Sequence, residues 1–415
     1  MPRILFRLRA LPVLLASLLA CNAGLAQEQE AALEDLQTDV AYLASDLLEG
    51  RATGSPGEAL AAAYIAGRFE ELGLAPGTDK GWIQPFRFRY SANPHATDAG
   101  EALSGRNVIG FLDNGAEQTV VIGAHYDHLG YGGTGSLQPG DSLIHNGADD
   151  NASGVAALLE IARQLKAAGD QQNNYLFVAF SGEELGLYGS KYFVQNATVP
   201  PDEINYMINL DMVGRLGEER MLAVNGTGTS PVWEAALDAA AEQADVRLTR
   251  HTSGLGPSDH ASFYLEDIPV LHLFTGQHTD YHKPGDDSHL INYSGLYDVA
   301  SFAVDVIEAL DDDEELAFTK TQDESEDRSM AFKVGLGVMP DYVYDGEGLR
   351  IDAVLDDRPA ARAGLERGDI LIRLDTTDVQ DIYDYMEALS RFEAGDSTQA
   401  TVRRGEETIE TKIKF

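Results

Sequence analysis

The strongest constraint on this chain is where its charged residues fall relative to its apolar runs. Residues 107–112, 119–124, 175–180, 204–210 and 268–274 are apolar segments of strand length, rich in β-branched and aromatic side chains. The second run stops on His125-Tyr126-Asp127-His128, the third on Ser181-Gly182-Glu183-Glu184, and the fourth on Asp211. The fifth leads into a loop that holds Tyr281 and His282. Between the second and third lies Gly147-Ala148-Asp149-Asp150-Asn151-Ala152-Ser153-Gly154, a turn-rich passage into a helix. Val155, Leu158, Leu159, Ala162 and Leu165 recur there at helical spacing and form an apolar face. Residues 31–44 and 57–72 read as two further amphipathic helices around a turn-rich loop, 48–57. Strands alternating with helices predict an α/β fold, a mixed, mainly parallel sheet with helices on both faces. In such sheets ligands bind beyond the carboxyl ends of the strands, which is where His125, Glu183, Glu184 and Asp211 fall.

Charge narrows the class of partner. The net charge of −38 is spread along the whole chain, so it describes a hydrated surface and disfavours nucleic acid and anionic lipid. Residues 1–20 depart from this pattern: Arg3, Arg7 and Arg9 precede an apolar run, 11–20, too short to span a bilayer. That is the pattern of an export signal. Leu18-Leu19-Ala20-Cys21 resembles a bacterial lipoprotein cleavage box, with Gly24-Leu25-Ala26 as an alternative cleavage site. Cys21 is the only cysteine, which excludes an intrachain disulfide and a thiolate metal site. The expected location is therefore the bacterial cell envelope, through a lipid on Cys21, or else secretion.

His125, Asp150, Glu184, Asp211 and His282 are two imidazoles and three carboxylates. Two zinc ions bridged by one carboxylate need such a set, with a shared water as nucleophile. Plain structural alternatives exist for each residue: an Asp before a helix is usually a cap, and a Glu pair is usually solvated. The clustering at strand ends argues against five separate coincidences. Glu183 and Glu184, being successive, point in different directions, so one can bind metal while the other faces the water.

These segments, Gly123-Ala124-His125-Tyr126-Asp127-His128, Asp150 to Gly154, Gly182-Glu183-Glu184-Leu185-Gly186, Asn209-Leu210-Asp211-Met212 and Tyr281-His282, resemble the M28 family of co-catalytic zinc aminopeptidases across roughly residues 30–310. The resemblance implies a zinc exopeptidase fold and two zinc ions per chain. It implies that His125 and Asp211 hold one zinc, Glu184 and His282 the other, with Asp150 bridging. Glu183 matches the family's general base and Tyr281 a tyrosine that stabilises the tetrahedral intermediate. Asp127 is placed like a carboxylate that orients the His125 imidazole. Ser258-Asp259-His260 precedes the His282 loop, and three consecutive residues cannot converge into a nucleophilic triad. The remaining histidines, His128 among them, stay unassigned, and most are read as structural or exposed.

Residues 311–330 contain two acidic clusters and read as a solvated linker between a catalytic domain, 21–310, and a smaller domain, 331–415. Gly335-Leu336-Gly337-Val338 resembles the carboxylate-binding loop of PDZ domains, and residues 358–371 resemble the turn and strand of protease-associated PDZ domains. That implies a small PDZ-like β/α domain whose glycine-rich loop takes a C-terminal peptide as an added strand, with a helix over 381–389 closing the groove. The alternative is that Gly-Leu-Gly-Val simply starts a strand.

The expected function is hydrolysis of N-terminal residues from peptides. A near-neutral α-amino group is still largely cationic, with a pKa of about 7.7–8.0, and suits a carboxylate-rich pocket. Rival readings on the same scaffold are a glutaminyl cyclase-like acyltransferase, a carboxypeptidase or dipeptidase, and a non-catalytic peptide-binding protein.

Overall fold

The computed structural model describes residues 11–90, 100–133, 135–138, 142–169, 171–311, 315–321, 334–340, 344, 346–354, 358–380, 382–405 and 407–415. These residues form two sheets, each packed on its own core. The first part carries α1 (Leu11–Leu43), α2 (Pro56–Glu71), β1 (Ala75–Pro76), β2 (Ile83–Tyr90), β3 (Glu101–Leu112), β4 (Thr119–His125), α3 (Gly154–Ala168) and β5 (Asn174–Phe180). It continues with α4 (Tyr188–Gln195), β6 (Ile204–Leu210), β7 (Met221–Asn225), α5 (Trp233–Ala244), β8 (Arg247–His251), α6 (His260–Tyr264), β9 (Val270–Phe274) and α7 (Tyr293–Ala309).

The strand order is β1-β3-β5-β4-β6-β9-β7-β8, with β2 also paired to β3. The central strands β5, β4, β6 and β9 run parallel, while β3 and β7 join them antiparallel. Both faces of the centre are covered, which explains the unbroken apolar runs. Val120, Ile122 and Ala124 of β4 and Tyr175, Phe177 and Ala179 of β5 pack on one side against α1, α2, α3, α5 and α7. Their alternates Val121, Leu176, Val178 and Phe180 pack on the other against Phe193 of α4 and Phe263 of α6. All five apolar-face residues expected on α3 are buried.

The helix expected over 31–44 begins earlier, at Leu11, and runs through the apolar segment of the expected export signal. Residues 1–10 of that segment lie outside the described residues. Among the described residues no helix is long and apolar enough to cross a membrane.

The expected acidic linker is not solvated throughout. Residues 312–314 and 322–330 lie outside the described residues, but 315–321 form a strap packed on the first sheet's domain. Leu316 is buried, and its N–H donates to Asn205 Oδ1 at 2.8 Å. Phe318 packs on the Tyr264 ring, the Thr319 N–H donates to Thr229 O at 2.7 Å, and Thr321 Oγ1 donates to the Tyr264 hydroxyl at 2.9 Å. Two apolar side chains among acidic neighbours are enough to dock the segment, and an average over composition hides them.

The second sheet contains β10 (Val338–Pro340), β11 (Leu349–Val354), β12 (Ile370–Leu374), β13 (Thr377–Asp378), β14 (Ser397–Arg404) and β15 (Glu407–Lys414). Its order is β10-β11-β12-β14-β15, all pairs antiparallel, with β13 paired to β12. Two helices, α8 (Pro359–Arg362) and α9 (Ile382–Ser390), accompany it, and Leu336, Ile351, Leu371, Leu389 and Val402 centre its core. Helix α9 takes the place expected over 381–389; residue 381 itself lies outside the described residues. In the glycine-rich loop, Leu336 is buried and its carbonyl accepts the Ala360 N–H at 2.9 Å, while Val338 opens β10, the end strand of the order. Gly337 has φ +76°, and a Cβ there would lie 2.2 Å from Arg358 Cβ.

Candidate active site

The site is built at the carboxyl ends of three adjacent parallel strands. His125 is the last residue of β4 and pairs in register with Phe180, the last of β5, while Asp211 follows β6 directly. Glu183 and Glu184 lie in a turn after β5, where the Glu183 carbonyl accepts the N–H groups of Gly186 and Leu187.

Asp150 does not cap the following helix. Its backbone is extended (φ −106°, ψ 90°), and α3 starts four residues later. Asn151 does the local hydrogen bonding instead: Oδ1 accepts from Gly154 N and Met212 N, and Nδ2 donates to Leu210 O at 2.9 Å. This ties the loop to the end of β6 and leaves the Asp150 carboxylate free. The Asp149 and Asp150 N–H groups both donate to Oδ2 of buried Asp286, whose Oδ1 meets Arg215 at 3.2 Å. Gly147, at φ +57°, makes the preceding turn; a Cβ there would lie 2.1 Å from Asp150 O.

Beneath this loop lies Arg51, fully buried. Its guanidinium donates to the carbonyls of Tyr126 (2.7 Å), Asn146 (2.6 Å), Gly147 (3.0 Å) and Leu43. One side chain thus joins the end of α1, the segment after β4 and the turn before Asp150. Burial lowers the Arg51 pKa to about 10, partly offset by the surrounding carboxylates.

The five residues expected to act together do converge. His125 Nε2 lies 3.3 Å from Asp211 Oδ1 and 3.3 Å from Asp150 Oδ1. His282 Nε2 lies 3.1 Å from Asp150 Oδ2 and 3.2 Å from Glu184 Oε2. Asp150 therefore divides its two oxygens between the two halves of the site. Glu183 clusters with His125 and Asp211, on the first half.

Electrostatics separates the two glutamates. Burial drives Glu183 well above the ordinary carboxylate range; His125 pulls it back only in part, while Asp211 and Glu184 add to the rise. Burial also opposes ionisation of Glu184 and Asp150, but there the imidazoles win and both are held below the usual range. Despite burial, hydrogen bonds to Asp150 and Glu184 raise His282 to about 11, and Asp211 and its neighbours raise His125 well above an ordinary histidine. Tyr281 stacks on the His282 ring at 3.9 Å, and burial raises its hydroxyl pKa. All these groups open onto one cavity of about 700 Å³, a size suited to a small ligand. Its far wall includes Met212, Leu255, Pro257 and Phe274, with Lys191 and His251 beside them.

Two expectations change. Asp127 meets His125 Nδ1 through its backbone carbonyl at 3.2 Å, with the carboxylate at 3.8 Å. Its carboxylate instead accepts the Glu183 N–H at 3.2 Å and the Thr53 hydroxyl at 2.8 Å, so the side chain fastens the turn that bears Glu183. His128, left unassigned by the sequence, is buried against Glu184 with Nδ1 2.6 Å from Oε1. Arg51 and Asp286 were also missed. The Ser258-Asp259-His260 segment forms no triad: neither His260 nitrogen has a hydrogen-bond partner among the described residues, and its ring stacks on His272 at 4.5 Å.

The donor chemistry fits a pair of divalent cations. Two clusters, His125/Glu183/Asp211 and His128/Asp150/Glu184, each bring ligand atoms within 4.8 Å of one another. Four carboxylates crowd a largely buried site and raise the proton affinity of His125 and His282. Nitrogen and oxygen donors of this kind suit zinc, and binding it would displace any proton held there.

Residues 107–307 match peptidase family M28, and residues 316–415 match the PDZ domain. Aminopeptidase YwaD of Bacillus subtilis is 33% identical over 189 residues, covering 43% of this chain and 38% of that protein. The chain spans under half the length of the first curated relatives that it matches. The crystal structure of BSAP, a zinc aminopeptidase from Bacillus subtilis, superposes with a TM-score of 0.54 at 19% identity, over 69% of this chain and 95% of that one. The glutaminyl cyclase of Porphyromonas gingivalis also gives 0.54, at 20% identity, over 68% and 97%. At these identities the structural likeness concerns the fold.

Proposed function

The chain carries a peptidase family M28 domain followed by a PDZ domain, and on that premise we propose that it is an aminopeptidase that removes N-terminal residues from peptides at a two-zinc site. The observation that carries this reading is the division of Asp150, with Oδ1 toward His125 and Oδ2 toward His282. His125 and Asp211 would hold one ion, Glu184 and His282 the other, and Asp150 both. Zinc held there would acidify a water molecule and polarise the scissile carbonyl.

The chain's own groups then divide the work. Glu183, whose burial raises its affinity for a proton, acts from its ionised form: it takes the proton from the attacking water and delivers it to the leaving amine. Asp127 holds the Glu183 backbone in place through its N–H. Tyr281, kept protonated by burial, donates its hydroxyl toward the developing oxyanion. The surrounding carboxylates accept the cationic amino terminus of the substrate.

A glutaminyl cyclase-like acyl transfer is the second reading, favoured by the equal structural likeness to the Porphyromonas gingivalis enzyme. One experiment separates them: aminoacyl chromogenic substrates and peptides with N-terminal glutamine, assayed with chelator and then with added zinc. Chelator-sensitive release of the chromogenic amine supports the aminopeptidase. Cyclisation of glutamine without aminoacyl hydrolysis refutes it.

In this reading the basic-then-apolar start and Cys21 direct the protein to the cell envelope as a lipid-anchored protein. The second domain takes the C-terminus of a peptide beside Gly335-Leu336-Gly337-Val338, with β10 as the edge to which a strand can be added.

A further inference from the structure

We infer that His128 is a positioning residue for the second metal: it holds one oxygen of Glu184 so that only the other faces the ion. The inference rests on the two-metal reading above and concerns a residue outside the ligand set proposed there. The His128 side chain is completely shielded from solvent, and its Nδ1 lies 2.6 Å from Glu184 Oε1. The other carboxylate oxygen, Oε2, faces His282 Nε2 at 3.2 Å. Glu184 is thus held at both oxygens, by an imidazole expected to bind metal and by one set behind it. Asp150 Oδ2 lies farther from His128, at 3.9 Å.

The ring has little freedom to turn away. A Cβ on Gly147 would lie 2.5 Å from His128 Cδ2 and 2.6 Å from Cγ, so the turn before Asp150 closes directly onto the ring. On its near side the His282 ring stands edge-on with centroids 5.8 Å apart. The other ring nitrogen, Nε2, is buried without a hydrogen-bond partner among the described residues. With a carboxylate oxygen at hydrogen-bond distance, Nδ1 carries a proton and donates it to Glu184 Oε1. A carboxylate with one oxygen so occupied presents a single oxygen in a fixed direction, whereas a free one can rotate or chelate through both. Hydrogen-bonding partners of this kind change metal affinity by about 10–100-fold.

The test uses the full chain, stripped of metal and titrated with zinc against a chromogenic chelator. His128→Leu keeps the bulk but removes the donor; His128→Asn places an amide N–H where Nδ1 stands. Wild type should take up two equivalents. His128→Leu should bind the first equivalent normally and the second about 10–100-fold more weakly, and His128→Asn should recover most of that loss. Melting of the metal-free proteins, read alongside, reports packing alone. Unchanged binding of both equivalents by His128→Leu overturns the inference. So does equal weakening of both equivalents that His128→Asn does not relieve. A wild-type chain that takes up only one equivalent overturns the two-metal reading instead, and the inference with it.

Discussion

Replacing Arg51 by methionine removes four hydrogen-bond donations while keeping most of the side-chain volume. Gly147 O retains another donor, the Ala152 N–H at 3.2 Å, but the carbonyls of Leu43, Tyr126 and Asn146 lose theirs. A buried acceptor left unpaired costs about 1–3 kcal/mol, so three cost roughly 3–9 kcal/mol. Against this, methionine spares the folded state a buried charge, which returns several kcal/mol. Set against the midpoint of that range, about 6 kcal/mol, a return of about 3 kcal/mol leaves a loss of about 3 kcal/mol. At roughly 2–4 °C per kcal/mol in a domain of this size, the catalytic-domain Tm should fall by about 10 °C. Calorimetry of the metal-free full chain reads this as a shift in one transition, with the second domain's transition unmoved. Arg51→Lys should recover less than half, since a single ammonium cannot reach carbonyls on three separate segments. Zinc affinity should fall as well, because the same carbonyls fix the turn before Asp150 and the segment after His125. An Arg51→Met protein that melts at the wild-type temperature and binds zinc unchanged would refute the clamp.

The two neighbouring glutamates should part company: Glu183→Gln should cut kcat by at least about 10²–10⁴-fold with zinc content unchanged, whereas Glu184→Gln should lower zinc content, as metal analysis of the purified proteins will report. A chain ending after Thr321 should hydrolyse small aminoacyl substrates like the full protein, while one ending at residue 310 loses the Leu316 and Phe318 strap and should unfold at lower urea; equal stability of the two removes any role for the strap. In the second domain, burial works against ionisation of Asp369, but Arg404 (2.6 and 2.7 Å) and the Glu366 N–H outweigh it and lower its pKa. A carboxylate depressed in the folded state stabilises at pH above its unfolded value of about 3.9 and loses that contribution as pH falls through its folded value. Asp369→Asn should therefore lower that domain's Tm at pH 7 and narrow its gap to wild type as the solution is acidified below about pH 4; a gap independent of pH refutes the pairing.

Much of the site was legible because its residues sit at places a sequence reveals. His125, Glu183 and Asp211 each follow an apolar run, and sheet geometry then forces them together. What stayed hidden works through contacts with no sequence period. Arg51 acts on backbone carbonyls 75 to 96 residues away, and any residue type could have supplied those carbonyls. His128 was visible in the same tetrapeptide as His125 but had no signal to separate a ligand's support from a packing residue. Asp127 showed the opposite failure: the residue was right, but its carbonyl and carboxylate serve different partners. Strands β7 and β8 are short, and β8 contains three basic residues, Arg247, Arg250 and His251, so they lack the apolar continuity of the central strands.

The strap also ties the chain beyond α7 to the segment that leads into the cavity lining. Thr321 is the last described residue fastened there before the second domain begins at the other end of the chain. Its hydroxyl accepts the Gly254 N–H at 3.2 Å, and its backbone exchanges hydrogen bonds with the Tyr264 hydroxyl. Leu255, Gly256 and Pro257, the next residues after Gly254, line the cavity. The last fastening of the strap thus falls on Gly254, one residue in sequence from the lining of the cavity.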